Sequence, residues 1–190
     1  VLSAVIGVMP ELISLQKHEV EWLLEYLERV PELVTRDVIH RDETHSHALY
    51  IESGCIGEFV EYQGKQRLLA IHRSGHVIQL KAEVHVQAHK SIFRCLTSCK
   101  VWRMALPAIR ELDAHQQDVA ERFLQGLLWN ELLFLRTCSY EAQFEDRDAW
   151  KAWIKRNAGA LPGLTQDEIG DYLNRSAATL SRWTHADDHG

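Results

Sequence analysis

No stretch of this chain is apolar for long enough to cross a membrane. Its longest strongly apolar run, LLWNELLFL from Leu127 to Leu135, is broken by Asn130 and Glu131 and falls far short of the roughly 20 residues a span requires. The first residues, VLSAVIGVM, lack the basic start and the small-residue cleavage site of a secretory signal, and the absence of an initiator Met points to a trimmed chain. Cysteine is sparse. Cys55, Cys95, Cys99 and Cys138 are scattered without the density of a disulfide framework, which fits a reducing compartment and a cytoplasmic location. Positive charge is also short: 21 Lys and Arg face 27 Asp and Glu, for a net charge of -6. That balance opposes attraction of the whole chain to phosphate, so any nucleic-acid contact has to come from a local patch. G-x-S-x-G, Walker, H-E-x-x-H and paired-carboxylate motifs are missing, which leaves no basis for an enzyme.

What is present is a chain of 190 residues, with 46% hydrophobic and 25% charged residues, long enough for one medium domain followed by a small one. The opening PELISLQKHEVEWLLEYLERV places Leu12, Ile13, Leu15, Val20, Leu23, Leu24 and Leu27 at spacings that predict one or two amphipathic helices. From Leu33 to about Met104 the pattern changes to short segments rich in β-branched and aromatic residues: ALYIESG, CIGEFVEY, QRLLAIH, HVIQL, EVHVQAH, SIFRCL and KVWRM. Gly54, Gly64, Gly75 and polar clusters separate them, as in a β-barrel or roll. Gly64 in YQGK marks a hairpin turn.

After Pro107 the spacing turns helical, with Val119, Phe123, Leu124, Leu127, Leu128, Leu132, Phe134 and Leu135 covering more than one stripe. A helix apolar on two sides must bury both, so one side is expected on the β domain and the other on a partner subunit or in the core of a monomer. A further helix is expected from about Asp146 to Arg156, followed by the breaker-rich NAGALPG.

The most informative stretch is LTQDEIGDYLNRSAATLSRW, Leu164 to Trp183. Thr165 and Glu168 form a T-x-x-E capping box at a helix start. Ile169, Tyr172 and Leu173 supply an inward face, and Gly170 removes a side chain where a second helix approaches. Asn174 sits where helices end in a left-handed residue, Ser176 caps the next helix, and Leu180 continues the apolar face. A helix, a tight polar turn and a second helix is the arrangement that places the second helix in a major groove, though hairpins of helices with no such use share it.

This stretch resembles, without a gap, the helix-turn-helix of the Crp/Fnr family of bacterial transcription regulators; DEIGDYL, the Ser176 turn and TLSR carry the likeness. HALYIESGCIGEFVEY followed by RLLAIHRSGHVIQL is similar to that family's β-roll sensor, which is a cyclic-nucleotide-binding-like domain, and the long helix resembles its dimerisation helix. The resemblance implies an α+β fold: a β-roll over residues 1–106, a dimerisation helix over 107–143 and a helix-turn-helix domain over 144–190. It further implies a homodimer that binds double-stranded DNA at a palindromic site and regulates transcription.

By the same resemblance, Ala177, Ala178 and Arg182 stand where family members read bases. Only Arg182 has the fork for guanine, while alanine offers at most contact with a thymine methyl. Gln166, Ser176, Thr179 and Ser181 are expected to hold phosphates. Charge argues the other way: Lys151, Lys155, Arg156, Arg175 and Arg182 are balanced by Asp167, Glu168, Asp171, Asp187 and Asp188. The family's β-hairpin wing is expected to be missing, since only seven residues follow Trp183, and Trp183 is expected to lose cover. These departures keep open an alternative, a sensor or protein-interaction module of this fold that no longer binds DNA.

Cyclic-nucleotide members hold ribose with a Gly-Glu-Leu segment and the cyclic phosphate with an Arg-Ser pair. The nearest matches here are Gln79-Leu80 and Lys90-Ser91, without the glutamate or the arginine, so Gln79, Lys90 and Ser91 are the candidate effector residues for an unidentified signal. No cysteine precedes Cys55, where iron-sulfur members carry a cluster, and no cofactor or metal is expected. If Cys95 and Cys99 share one strand, they stand about 13 Å apart at roughly 3.3 Å per residue, too far for the about 4.4 to 6.8 Å of a disulfide. His72, His76, His85 and His89 are expected on hairpin surfaces, and His40, His45 and His47 in a polar loop; a redox or metal sensor built on these groups is the third possibility.

Overall fold

Two antiparallel four-stranded sheets face each other in the computed structural model, which describes residues 18–19, 25–39, 47–80, 91–105, 117–141 and 147–185. The strands are β1 (Leu27–Arg29), β2 (Val38–Ile39), β3 (His47–Ser53), β4 (Cys55–Tyr62), β5 (Lys65–Arg73), β6 (Val77–Leu80), β7 (Ser91–Cys95) and β8 (Lys100–Ala105). One sheet has the order β1-β8-β3-β6 and the other β2-β7-β4-β5. Between them lie Leu49, Ile51, Ile56, Ile78, Phe93, Cys95, Cys99 and Val101, alternating inward along their strands as period-2 burial requires.

Two glycine positions shape this roll. Gln63 and Gly64 turn β4 into β5 with φ of 52° and 72°, the paired positive values of a type I′ hairpin, which suit glycine at the second position. Gly54, at φ 98°, lets the chain pass from β3 to β4 against the Ser98 carbonyl. A side chain there meets both strained backbone and occupied space.

The opening segment departs from its helical spacing. Leu27–Arg29 is strand β1, paired with Trp102 to Met104 of β8. Arg103 donates to the Glu28 carboxylate at 2.6 Å and the Arg29 guanidinium lies 5.9 Å from the Trp102 ring centre. An unfilled strand edge with matching partners outweighs a weak local preference. His18 and Glu19 are helical; the rest of the expected helix through Leu24 lies outside the described residues, as do EVHVQAH, His40, His45, His85 and His89.

Among the described residues the helices that follow are α1 (Gln117–Glu141), α2 (Arg147–Asn157), α3 (Gln166–Tyr172) and α4 (Ala177–His185), with a 3₁₀ turn at Leu161–Gly163. Helix α1 is 25 residues long. It buries Phe123 and half-buries Phe134 while exposing Leu128, Trp129, Leu132, Leu133 and Leu135. Of the two apolar sides that its spacing predicts, one faces the roll. None of the described helices is long and apolar enough to cross a membrane.

The histidine and cysteine expectations need correction. His72 and His47 are buried, not surface residues: the end of β5 is covered on both faces, so that Ala70, Ile71 and His72 are buried in succession, and His47 begins β3 rather than ending a loop. Cys95 and Cys99 do not share a strand. Cys95 ends β7, and Cys99 follows the turn 96–98 to pair with Leu33.

Candidate nucleic-acid interface and the cavity beside it

The helix pair is built as its residues specify. The Thr165 hydroxyl accepts from the Glu168 N–H at 3.2 Å, and the Glu168 carboxylate accepts from the Thr165 N–H at 2.7 Å, satisfying two free donors at the start of α3. Asn174 adopts φ 52°, and the Arg175 N–H returns to the Gly170 carbonyl at 2.9 Å. A Cβ on Gly170 would stand 2.7 Å from the Arg175 carbonyl, so the turn closes only because that side chain is absent. Ser176 Oγ accepts from the Thr179 N–H at 3.2 Å and caps α4. Ile169, Tyr172, Leu173 and Leu180 are buried beneath.

The face of α4 turned to solvent is short and polar. Ser176, Ala178, Ser181 and Arg182 are exposed, Ala177 and Thr179 are half-buried, and Gln166 is exposed at the start of α3. Arg182 donates through Nη2 to Thr179 Oγ1 at 3.2 Å and through Nε to the Ala178 carbonyl at 3.4 Å, holding its guanidinium along the helix. Trp183 is half-buried against the core under α4, and Arg147 donates to its carbonyl at 3.2 Å. Trp183 was expected to lose its cover; part of its surface is nevertheless packed on the apolar cluster under α4.

These helices are seated on the β-roll, a relationship that periodicity did not reveal. Phe59, Leu68, Ile71 and Leu96 from the roll share one apolar cluster with Trp150, Trp153, Ala160, Ile169, Tyr172, Leu173 and Leu180. Trp150 and Trp153 stack with ring centres 5.5 Å apart. Gly163 lies directly on Leu96, where a Cβ would come within 2.4 Å of the Leu96 carbonyl oxygen. At the rim Arg94 donates to Glu168 at 2.7 Å and lies over the Phe59 ring at 4.1 Å. Burial pushes the Glu168 carboxyl upward, but the Thr165 N–H and the Arg94 guanidinium prevail and leave it below its ordinary value. Arg73, at the end of β5, donates through Nε at 3.2 Å and through Nη2 to Asn157 Oδ1, and Asn157 in turn donates to the Trp153 carbonyl at 2.9 Å.

Arg73 also lines a cavity of about 160 Å³ between β5 and α1, together with Ile71, His76, Leu133, Phe134, Thr137 and Cys138. Phe134 stacks on His72 at 4.3 Å and meets the edge of His76 at 5.0 Å. His72 Nε2 lies 3.1 Å from a Glu58 carboxylate oxygen. Burial drives His76 down to about 4, with the neighbouring His72 and Arg73 acting in the same direction. Its ring is neutral at pH 7, and Nδ1 accepts from the Arg73 N–H at 3.2 Å. The sequence-based effector residues fall elsewhere: Gln79 is in β6, opposite Ala48, Ser91 opens β7 in the other sheet, and Lys90 lies outside the described residues. Among the described residues no group of His, Cys, Asp or Glu is arranged to hold a metal.

Solved structures share this arrangement of roll and helices. The global regulator CLP of Xanthomonas campestris, described as c-di-GMP responsive, is 17% identical with a TM-score of 0.61 over 91% of this chain and 93% of that one. The fold is that of Crp/Fnr-type regulators. FixK2 of Bradyrhizobium japonicum is 16% identical with a TM-score of 0.60, over 84% of this chain and 83% of that one. TTHB099, a CRP-family transcriptional regulator of Thermus thermophilus, is 15% identical with a TM-score of 0.59, each chain covered to 83%. CLP and TTHB099 are described as regulators. At such identities the likeness carries the fold alone. No family model and no curated relative matches the chain.

Proposed function

We propose that this protein is a DNA-binding transcription regulator of the Crp/Fnr type, acting as a homodimer on a palindromic site. Residues 1–106 form the effector domain, 107–143 the dimerisation helix and 144–190 the helix-turn-helix domain. The carrying observation is α4: capped by Ser176, rooted by the buried Leu180, and presenting Ser181 and Arg182 to solvent. A helix so mounted enters the major groove with its exposed residues against base edges. Arg182 reads a guanine, Ala177 and Ala178 approach thymine methyls, and Gln166, Ser176, Thr179 and Ser181 engage phosphates.

Dimerisation follows from Leu128, Trp129, Leu132, Leu133 and Leu135, an exposed apolar row on one helix that suits a parallel seam with a second copy. Two copies then set two recognition helices one helical turn of DNA apart. The cavity beside Arg73 and His76, at about 160 Å³, is below the size of ordinary ligand pockets, so the proposed effector contacts stay those read from sequence, Gln79, Lys90 and Ser91. A second reading, an interaction module that no longer binds DNA, draws support from the balanced charge of residues 151–190.

Selection of duplexes from a random pool by the purified protein at low salt tests the proposal. Recovery of a two-fold-symmetric sequence, bound with an affinity that falls as salt rises, supports it. Failure to retain any duplex at low salt contradicts it and favours the second reading.

A further inference from the structure

Ser176, Thr179 and Arg182 follow one another at three-residue intervals from the cap of α4 onward, a spacing that lines side chains along one ridge of a helix. Their side chains are joined in that order. Arg182 Nη2 donates to Thr179 Oγ1 at 3.2 Å, Thr179 Oγ1 lies 3.0 Å from Ser176 Oγ, and Ser176 Oγ accepts from the Thr179 N–H at 3.2 Å. The row is fixed at its middle. Thr179 is half-buried and precedes the fully buried Leu180, its β-branched side chain has few rotamers in a helix, and its N–H also donates to the Ser176 carbonyl at 2.9 Å.

What this does to Arg182 depends on which of its hydrogens are taken. A guanidinium carries five N–H groups and no acceptor, and it offers two forks: Nε with Nη2 along the side, and Nη2 with Nη1 across the end. Nε points to the Ala178 carbonyl at 3.4 Å and Nη2 to Thr179, so the side fork is spent on α4 itself. The end fork, Nη1 with the second hydrogen of Nη2, is left for a ligand. Both acceptors are neutral oxygens, so the group is steadied while its full charge stays available.

We infer that Thr179 is the positioning residue for base reading: its hydroxyl holds the side fork of Arg182 against α4 and leaves the end fork for the O6 and N7 of a guanine. The inference rests on the regulator reading above and deepens it by naming the residue that sets its specificity. An exposed arginine without such a hold gives up its rotamer freedom on meeting a base, whereas one already held has less to lose. The two hydroxyls share a single hydrogen bond, so in either orientation one of their hydrogens stays free for a phosphate, and accepting from a cation strengthens Thr179 as a donor. A threonine that served the phosphate alone would affect all duplexes alike. One that positions Arg182 changes the preference for guanine.

The test compares the full chain with Thr179→Val, which keeps the shape and removes the hydroxyl, and with Thr179→Ser, which restores it. Without DNA, NMR relaxation of the arginine Nε–H groups, with Arg182 assigned by its loss in Arg182→Lys, should show Arg182 less ordered in Thr179→Val and close to the parent in Thr179→Ser. With DNA, each protein is titrated at fixed salt with the selected palindromic duplex and with a copy in which adenine replaces the guanine whose exchange Arg182→Ala does not feel. Adenine presents a donor in place of O6. Thr179→Val should lose about two- to tenfold of the parent's preference for guanine, the worth of one hydrogen bond, and Thr179→Ser should recover it. Should the valine variant fail to fold, Thr179→Ala takes its place. An Arg182 equally ordered in parent and Thr179→Val, or an affinity loss equal for both duplexes, overturns the inference alone. A parent that retains no duplex overturns the regulator reading and this inference with it.

Discussion

Arg73 donates twice to the side-chain oxygen of Asn157 while its own chain forms part of the wall of the cavity beside α1. One guanidinium thus touches both the chamber between roll and long helix and the last turn of α2. Asn157 is 1% exposed and relays the contact to the Trp153 carbonyl.

Asn157→Ala deprives buried polar partners of this bridge. A loss of about 1 to 3 kcal/mol is expected for such a deletion, read as a lower urea midpoint with an unchanged slope. Amide exchange should accelerate in α2 to α4 before it does so in β3 and β8. Equal stability of variant and parent would show that the bridge contributes nothing.

His76 gives the fold a pH dependence with a defined sign. Its folded value of about 4 lies below the ordinary 6.5, so the unfolded chain binds the extra proton first as pH falls. The contribution is fully present above 6.5, declines between 6.5 and 4, and is gone below 4. By linkage it amounts to about 3 kcal/mol. Melting temperature should fall over that window in the parent and fall less in His76→Gln. Parallel profiles would contradict the assignment.

Leu132 and Trp129 stand in the middle of the exposed apolar row of α1. Leu132→Glu places a charge where a second copy is proposed to pack, at a cost of several kcal/mol of association. Sedimentation should give a dimer for the parent and a monomer for the variant, with thermal unfolding of the β-roll little altered. A parent that sediments as a monomer would remove the dimer from the account.

Much of this architecture was legible in the residues. The Thr165 and Glu168 capping box, the left-handed Asn174, the Ser176 cap and the Gln63-Gly64 hairpin are local devices, each determined within a few positions of itself. The inward faces of α3 and α4 followed from period. What was not legible was tertiary. Leu27 to Arg29 has helical spacing but takes the free edge of β8. Arg73, Arg94 and Asn157 look like ordinary polar residues until the helices are seated on the roll. His72 reads as a hairpin histidine because nothing nearby in sequence announces Phe134 or Glu58. The strand expected to hold both Cys95 and Cys99 failed for a related reason: the chain turns at Leu96 to Ser98 and Cys99 pairs with Leu33 instead.

The central claim, that α4 reads DNA through Arg182, is tested most directly by titrating a selected palindromic duplex with the parent and with Arg182→Ala at fixed salt. The account predicts that the parent binds and the variant loses about 1 to 3 kcal/mol of affinity, concentrated at the guanine positions of the site, with folding unchanged. Equal affinity of the two proteins for that duplex would contradict it.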